Sequence, residues 1–323
     1  MKKPPVSRLF GVVLLWATLV RADTPSIPVT TKAEKSGPVF VNEIVIGSDT
    51  ELKATDTDYR HVSFYHASWG LSQAVPVGES GNLTFGLAYT LSHRRVTDPP
   101  SWEDNSWKEF KSTHPDWNRV PIPRVLQSLS ASIEYGQTID DYWSISSCIS
   151  TGSYTAKKGL LSDGWGAATS VMAQYKWSPT LTLAFGAAYD SLSHDYRYVP
   201  LVGFDWQFSD KWSAAIGFPS TAVTYTMNRH LSMAIELSGA GGTYHVKDDP
   251  APGAAVRSLA SSKLETTEVR LGFKIGWKIN DTYSISATTG HVVYREYKYI
   301  DRDYKLRSHD ISEFGAISGT ISF

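Results

Sequence analysis

The chain has 323 residues, with 31 Lys and Arg against 32 Asp and Glu, for a formal net charge of -1. That balance offers no basic excess to displace counterions from phosphates, so nothing in it supports a nucleic-acid partner; 41% hydrophobic residues exclude a mostly disordered chain. No run of about 20 apolar residues occurs, which excludes a helical membrane protein.

Lys2 and Lys3 precede the apolar stretch Leu9 to Val20, and Val20-Arg21-Ala22 offers small residues at -3 and -1 of a cleavage site. Residues 1–22 therefore predict a secretory signal peptide, with a retained anchor as the alternative. Residues 23–38 are rich in Pro, Thr, Ser and Lys and predict a flexible periplasmic lead-in. Cys148 is the only cysteine and cannot form an internal disulfide; it predicts a small side chain in a sheet.

From residue 39 onward the chain reads as a long series of strands. In Leu264 to Ile279 the positions Val269, Leu271, Phe273, Ile275, Trp277 and Ile279 are apolar, while Glu268, Arg270, Gly272, Lys274, Gly276 and Lys278 between them are polar or small. A period of two gives one apolar and one wet face. Gly272 and Gly276 argue against a helix, each costing about 1 kcal/mol relative to Ala. Ten steps at about 3.3 Å, tilted at about 40°, rise roughly 25 Å, the height of the apolar band on a membrane barrel. The alternation recurs in Leu83 to Leu91, Leu181 to Tyr189 and Leu231 to Leu237.

A local formula repeats as well. A tight turn is followed by an apolar residue, Ser or Thr, and another apolar or small residue, as in Tyr142-Trp143-Ser144-Ile145, Lys211-Trp212-Ser213-Ala214 and Thr282-Tyr283-Ser284-Ile285. Asp140-Asp141, Ser178-Pro179, Ser209-Asp210 and Asn280-Asp281 supply the turns. Trp143, Trp177, Phe208, Trp212, Trp277 and Tyr283 sit beside these turns, as an interfacial aromatic girdle requires. Longer connections, at about 94–122, 153–165, 248–262 and 298–308, fall at the other end. The first carries Trp102, Trp107 and Trp117 and is the candidate loop for binding or constricting a pore, with a short helix predicted over 102–110.

The last strand, Gly315 to Phe323, resembles the C-terminal assembly signal of Gram-negative outer-membrane β-barrels. Ile317, Ile321 and Phe323 match that pattern, and Gly319 departs from it where an apolar residue is usual. The resemblance implies that Phe323 is read by the barrel insertion machinery. The layout from Val39, with Gly217-Phe218-Pro219-Ser220 leading into a strand through Tyr225, also resembles a group of bacterial barrels known only as a domain of unknown function.

The expectation is thus an all-β, antiparallel up-and-down transmembrane β-barrel over residues 39–323, of about 14 strands with 12 possible, exported to the outer membrane of a Gram-negative-type bacterium. Its partners would be outer-membrane lipid, the insertion machinery and small solutes. Glu134, Asp205, Glu236, Glu268, Arg270, Lys274 and Lys278 are candidate lumen charges within an otherwise small and polar inward set. Arg270, Lys274 and Lys278 form a basic ladder that either sets a transverse field or joins a salt-bridge network. A passive channel or transporter for small solutes is expected, the alternative being a structural or surface-binding barrel with an occluded lumen. Two Ser-His-Asp runs, at 193–195 and 308–310, cannot themselves be triads, because consecutive residues of an extended chain point to opposite faces. An Asp and His site drawn from two loops, with His194, Asp195, His309, Asp310 and the Asp248-Asp249 pair, is the distant third reading. No catalytic residues, cofactor or metal site are otherwise expected, since the nine His are scattered.

Overall fold

A computed structural model describes residues 37–54, 58–98, 121–157, 163–193, 197–217, 220–251 and 258–323. The expected signal peptide, nearly all of the expected lead-in, and the long-loop segment with its three tryptophans and expected helix lie outside the described residues.

Fifteen strands form one sheet: β1 (Pro38–Lys53), β2 (Asp58–Val77), β3 (Gly81–Asp98), β4 (Val125–Thr138), β5 (Trp143–Thr155), β6 (Trp165–Ser178), β7 (Leu181–Asp190), β8 (Tyr198–Gln207), β9 (Trp212–Ile216), β10 (Ser220–Thr226), β11 (Leu231–Val246), β12 (Ser262–Lys278), β13 (Tyr283–Tyr299), β14 (Tyr304–Ser308) and β15 (Ser312–Ser322). From β1 to β14 each pairs antiparallel with the next, β13 also pairs with β15, and β1 closes the ring on β15, from Val39 opposite Ser322 to Gly47 opposite Phe314. β14 and β15 are one stave interrupted at 309–311, since both pair with β1 and with β13. The wall therefore has 14 staves, and β9 and β10 are two of them, matching the separate strands that the sequence predicts on either side of 219.

The turns explain their repeated formula. At Asp140, Asn228 and Asn280 the side-chain Oδ1 accepts hydrogen bonds from the backbone N–H groups two and three residues on, including those of Trp143, Leu231 and Tyr283. Ser209 does the same through its hydroxyl for Lys211 and Trp212. Behind the Asp140, Ser209 and Asn228 turns, linked rings make the predicted girdle: Trp143 lies 4.8 Å from Tyr175, Phe208 6.4 Å from Trp212, and Trp212 4.9 Å from Tyr225. A second level runs through Trp69 and Tyr89 (5.7 Å) and Tyr189 and Tyr198 (5.0 Å). Between the two levels the outward residues, among them Leu71, Leu87, Ile133, Val171, Val202, Ile235 and Phe273, are apolar and exposed. A closed barrel with all ladders paired and this exterior crosses a lipid bilayer.

Wall height is uneven. β9 is 5 residues long and β10 is 7, against 16 to 20 for β1, β2, β3 and β11 to β13. β10 ends at Ser220, opposite Ser238, while β11 continues and meets β5 at His245 opposite Thr155. The 14-stave barrel at the turn end thereby narrows, at the loop end, to the nine staves whose tops extend beyond the upper aromatic level. The predicted loop at 298–308 is mostly wall: a tight turn joins β13 to β14, and Tyr297, Tyr299 and Leu306 are buried inside. Its outward Lys298, Lys305 and Arg307 make the segment read as a loop. Likewise Arg94 and Arg95 belong to β3, not to the long loop.

Candidate functional site

Two different interiors share the barrel. At the turn end the inward side chains are small and polar. Ser286 and Ser318 hydroxyls lie 2.7 Å apart, and Ser144 donates to Gln174 at 3.3 Å. A cavity of about 380 Å³, bounded by Ser232, Lys274, Gly276, Lys278, Ser284 and Thr320 among others, opens at this mouth. At the loop end the inward side chains are apolar and closely packed, which departs from the mostly small and polar inward set expected. Leu52, Tyr59, Leu126, Tyr154, Tyr244, Leu264, Tyr297, Tyr299 and Leu306 form one cluster, each at most 2% exposed. Loop residues complete it: Ile122, Leu192 and Leu259 pack in from three connections. The Tyr299 hydroxyl donates to the Pro121 carbonyl at 2.7 Å, tying the returning limb of the long loop into this plug.

Between plug and vestibule lies a layer of charge. Glu268 accepts from Arg295 Nε at 3.0 Å on one oxygen and from Arg270 Nε and Nη2 at 3.2 and 2.9 Å on the other. Arg94 reaches the same layer from β3 and donates through Nε to the Tyr297 hydroxyl at 3.0 Å. Each guanidinium lies over a ring: Arg295 over Phe64 at 4.0 Å, Arg94 over Tyr297 at 4.9 Å and Arg270 over Phe314 at 5.8 Å. His66 adjoins the group and bonds Ser92 Oγ through Nδ1 at 2.7 Å.

A β-bulge builds this layer. Val269 faces Tyr294 but Arg270 faces Val292, so Val293 is an extra residue on β13. Inward positions shift from Val292 to Arg295, Tyr297 and Tyr299, which share odd numbering with the outward Tyr283 and Ile285. Strict alternation therefore misses Arg295. Arg94 carries a readable signal: even positions of β3 face inward, and one more step from Ser92 reaches it.

The predicted lumen charges fall on inward positions of the wall, but their partners are local. Lys278 pairs with Asp281 at 2.8 Å at the mouth, Lys274 with Glu236 of the adjoining strand at 3.8 Å, and Arg270 with Glu268 on its own strand at 2.9 Å. The ladder thus resembles a salt-bridge network along one wall more than a field across the lumen. The two lower pairs are partly exposed and worth about 0–1 kcal/mol each. Glu134 faces Cys148 across β4 and β5, and Asp205 lies between Thr182 and Ala215. Ile317 and Phe323 point outward and are exposed. The departure at Gly319 has a cause: a Cβ there would come within 2.7 Å of Asn42 Oδ1, whose side chain fills that outward position.

Asp310 is engaged in holding the interrupted stave. Its Oδ1 accepts from Thr50 Oγ1 at 2.7 Å and from the Glu51 N–H at 3.0 Å, while the His309 N–H donates to the Glu51 carbonyl. Asp249 similarly accepts from Ala251, Ser258 and Leu259 within its own loop. His194 and Asp195 lie outside the described residues.

The model of a domain of unknown function, DUF6268, matches residues 104–312, well over half of the sequence. The chain belongs to this family. No curated protein matches it in sequence. Solved structures with a similar path include the TodX deltaS2S3 mutant monoaromatic hydrocarbon channel, at 11% identity and a TM-score of 0.48, covering 92% of this chain and 93% of that one. A Pseudomonas aeruginosa FadL homologue is 10% identical with a TM-score of 0.46, covering 96% and 98%. The COG4313 outer membrane channel from Pseudomonas putida F1 is 11% identical with a TM-score of 0.45, covering 92% and 99%. The strand pairings of this family member establish its own fold as an outer-membrane β-barrel.

Proposed function

We propose that this barrel is a passive channel for small solutes, closed at its extracellular end by the apolar plug. The carrying observation is the contrast between the two interiors. Fourteen staves enclose more space than small inward side chains fill, and at the turn end Ser, Thr and Gly leave a cavity of about 380 Å³ open. A barrel with a purely structural task gains nothing from a wide unfilled vestibule. The turn end is periplasmic by the usual asymmetry of short inner turns and long outer loops.

The plug favours a gate because part of it comes from connections. Ile122, Leu192 and Leu259 are loop residues, and loops move more readily than paired wall. Conductance of the purified protein in a planar bilayer tests the reading, with the triple variant Ile122→Ser, Leu192→Ser, Leu259→Ser alongside. The intact barrel is expected to show rare openings and the variant steady conductance. If both fold, judged by the mobility shift between unheated and boiled samples, yet neither conducts, the occluded structural barrel is the correct reading.

A further inference from the structure

The charged layer is unbalanced. Among the described residues, three guanidiniums, those of Arg94, Arg270 and Arg295, face one carboxylate, that of Glu268, and both of its oxygens are already engaged. Among the described residues the side-chain acceptor of Arg94 is the neutral Tyr297 hydroxyl. Arg94 Nη1 and Arg295 Nη2 are buried and have no hydrogen-bond partner among the described residues, the two arginines being 7% and 1% exposed. Arginine does not relieve such a position by losing its proton, as a buried lysine does. Buried charge of one sign with idle donors calls for an anion.

We propose that this layer is a binding site for the carboxylate of a small organic acid, received between Arg94 and Arg295. The geometry favours a carboxylate over a larger anion. The rings of Phe64 and Tyr297 cover the guanidinium faces, which leaves the planar N–H edges as the recognising surface. Planar N–H edges match the two in-plane oxygens of a carboxylate. The remainder of the acid meets the apolar side chains of the plug, of which Tyr297 touches the layer through its hydrogen bond from Arg94. Access comes from the vestibule. Lys278, Lys274 and Arg270 occupy the same face of β12, a basic path of roughly 26 Å along the strand from the mouth to the layer. This names the solute class of the channel proposed above and rests on that reading for its transport role only; binding is measured at equilibrium, whether or not the barrel conducts.

The test is calorimetric titration of the detergent-folded protein with benzoate and with butyrate, against chloride and inorganic phosphate at matched ionic strength. Saturable one-to-one binding of a carboxylate is expected, weakened about tenfold or more in Arg94→Gln and in Arg295→Gln, as loss of one charge-assisted hydrogen bond implies. If neither variant folds, the wild type decides: the carboxylate must raise its unfolding midpoint above that in chloride. Absence of saturable carboxylate binding overturns the proposal. So does binding of phosphate or chloride as tight as that of the carboxylates, or unchanged affinity in a folded Arg94→Gln.

Discussion

Glu268 and Arg295 stand opposite each other in the register of β12 and β13, and the carboxylate accepts the Arg295 Nε hydrogen at 3.0 Å inside the barrel wall. Replacing Glu268 with Gln keeps the shape and removes the carboxylate charge that both Arg270 and Arg295 bond. The loss is expected to cost about 3–5 kcal/mol, the range for breaking a buried pair from one side. Urea titration of the detergent-folded barrel, followed by heat-dependent gel mobility, measures it. A midpoint equal to that of the wild type would show that the arginines are already compensated by something else.

Two glycines of the same wall should behave in opposite ways. A Cβ on Gly290 would lie 2.1 Å from the Leu271 carbonyl oxygen and 2.6 Å from the Gly272 Cα, both backbone atoms of the paired strand. Gly290→Ala cannot be accommodated without parting β12 from β13, so the yield of folded barrel should fall sharply. At Gly315 a Cβ meets nothing within 4 Å, and Gly315→Ala should stay within about 0.5 kcal/mol of wild type. Refolding yields of the two variants, prepared side by side, make the comparison.

The hydrogen bond from Tyr299 to Pro121 links the wall to the long loop. Tyr299→Phe keeps the ring in the plug but leaves the carbonyl unpaired, at a cost of about 1–3 kcal/mol. Openings in a planar bilayer should become more frequent. Unchanged gating with an intact fold would assign the plug to the wall alone.

Phe323 is mostly exposed, and its backbone N–H donates to the Pro38 carbonyl at the seam. Deleting it removes little buried area, so refolding into detergent should be nearly unaffected. If the insertion machinery reads this exposed ring, as the resemblance of the last strand implies, insertion into the outer membrane of living cells should drop. A fall in detergent refolding as large as that in cells would make Phe323 a stability residue instead.

Much of this barrel is legible along the chain because membrane crossing leaves a local record. Each strand must show lipid one side and the lumen the other, so Leu271, Phe273, Ile275 and Trp277 alternate with Gly272, Lys274 and Gly276 without reference to any other strand. The turns are local too: Asp140, Asn228 and Asn280 cap their own backbone. Even Glu268 and Arg270 are recognisable as inward charges.

The ceiling of the lumen is decided differently. Val293 as an extra residue is defined only by what β12 places opposite it, and that shift turns Arg295, Tyr297 and Tyr299 from the outer to the inner face. The meeting of β5 with β11 over the short β9 and β10 is likewise a contact between residues 90 apart in the chain, which no window of alternating residues records. Period two fixes which residues share a face; only pairing across the ring decides which face, and at what height, so the plug and the charged layer beneath it exist only in the closed structure.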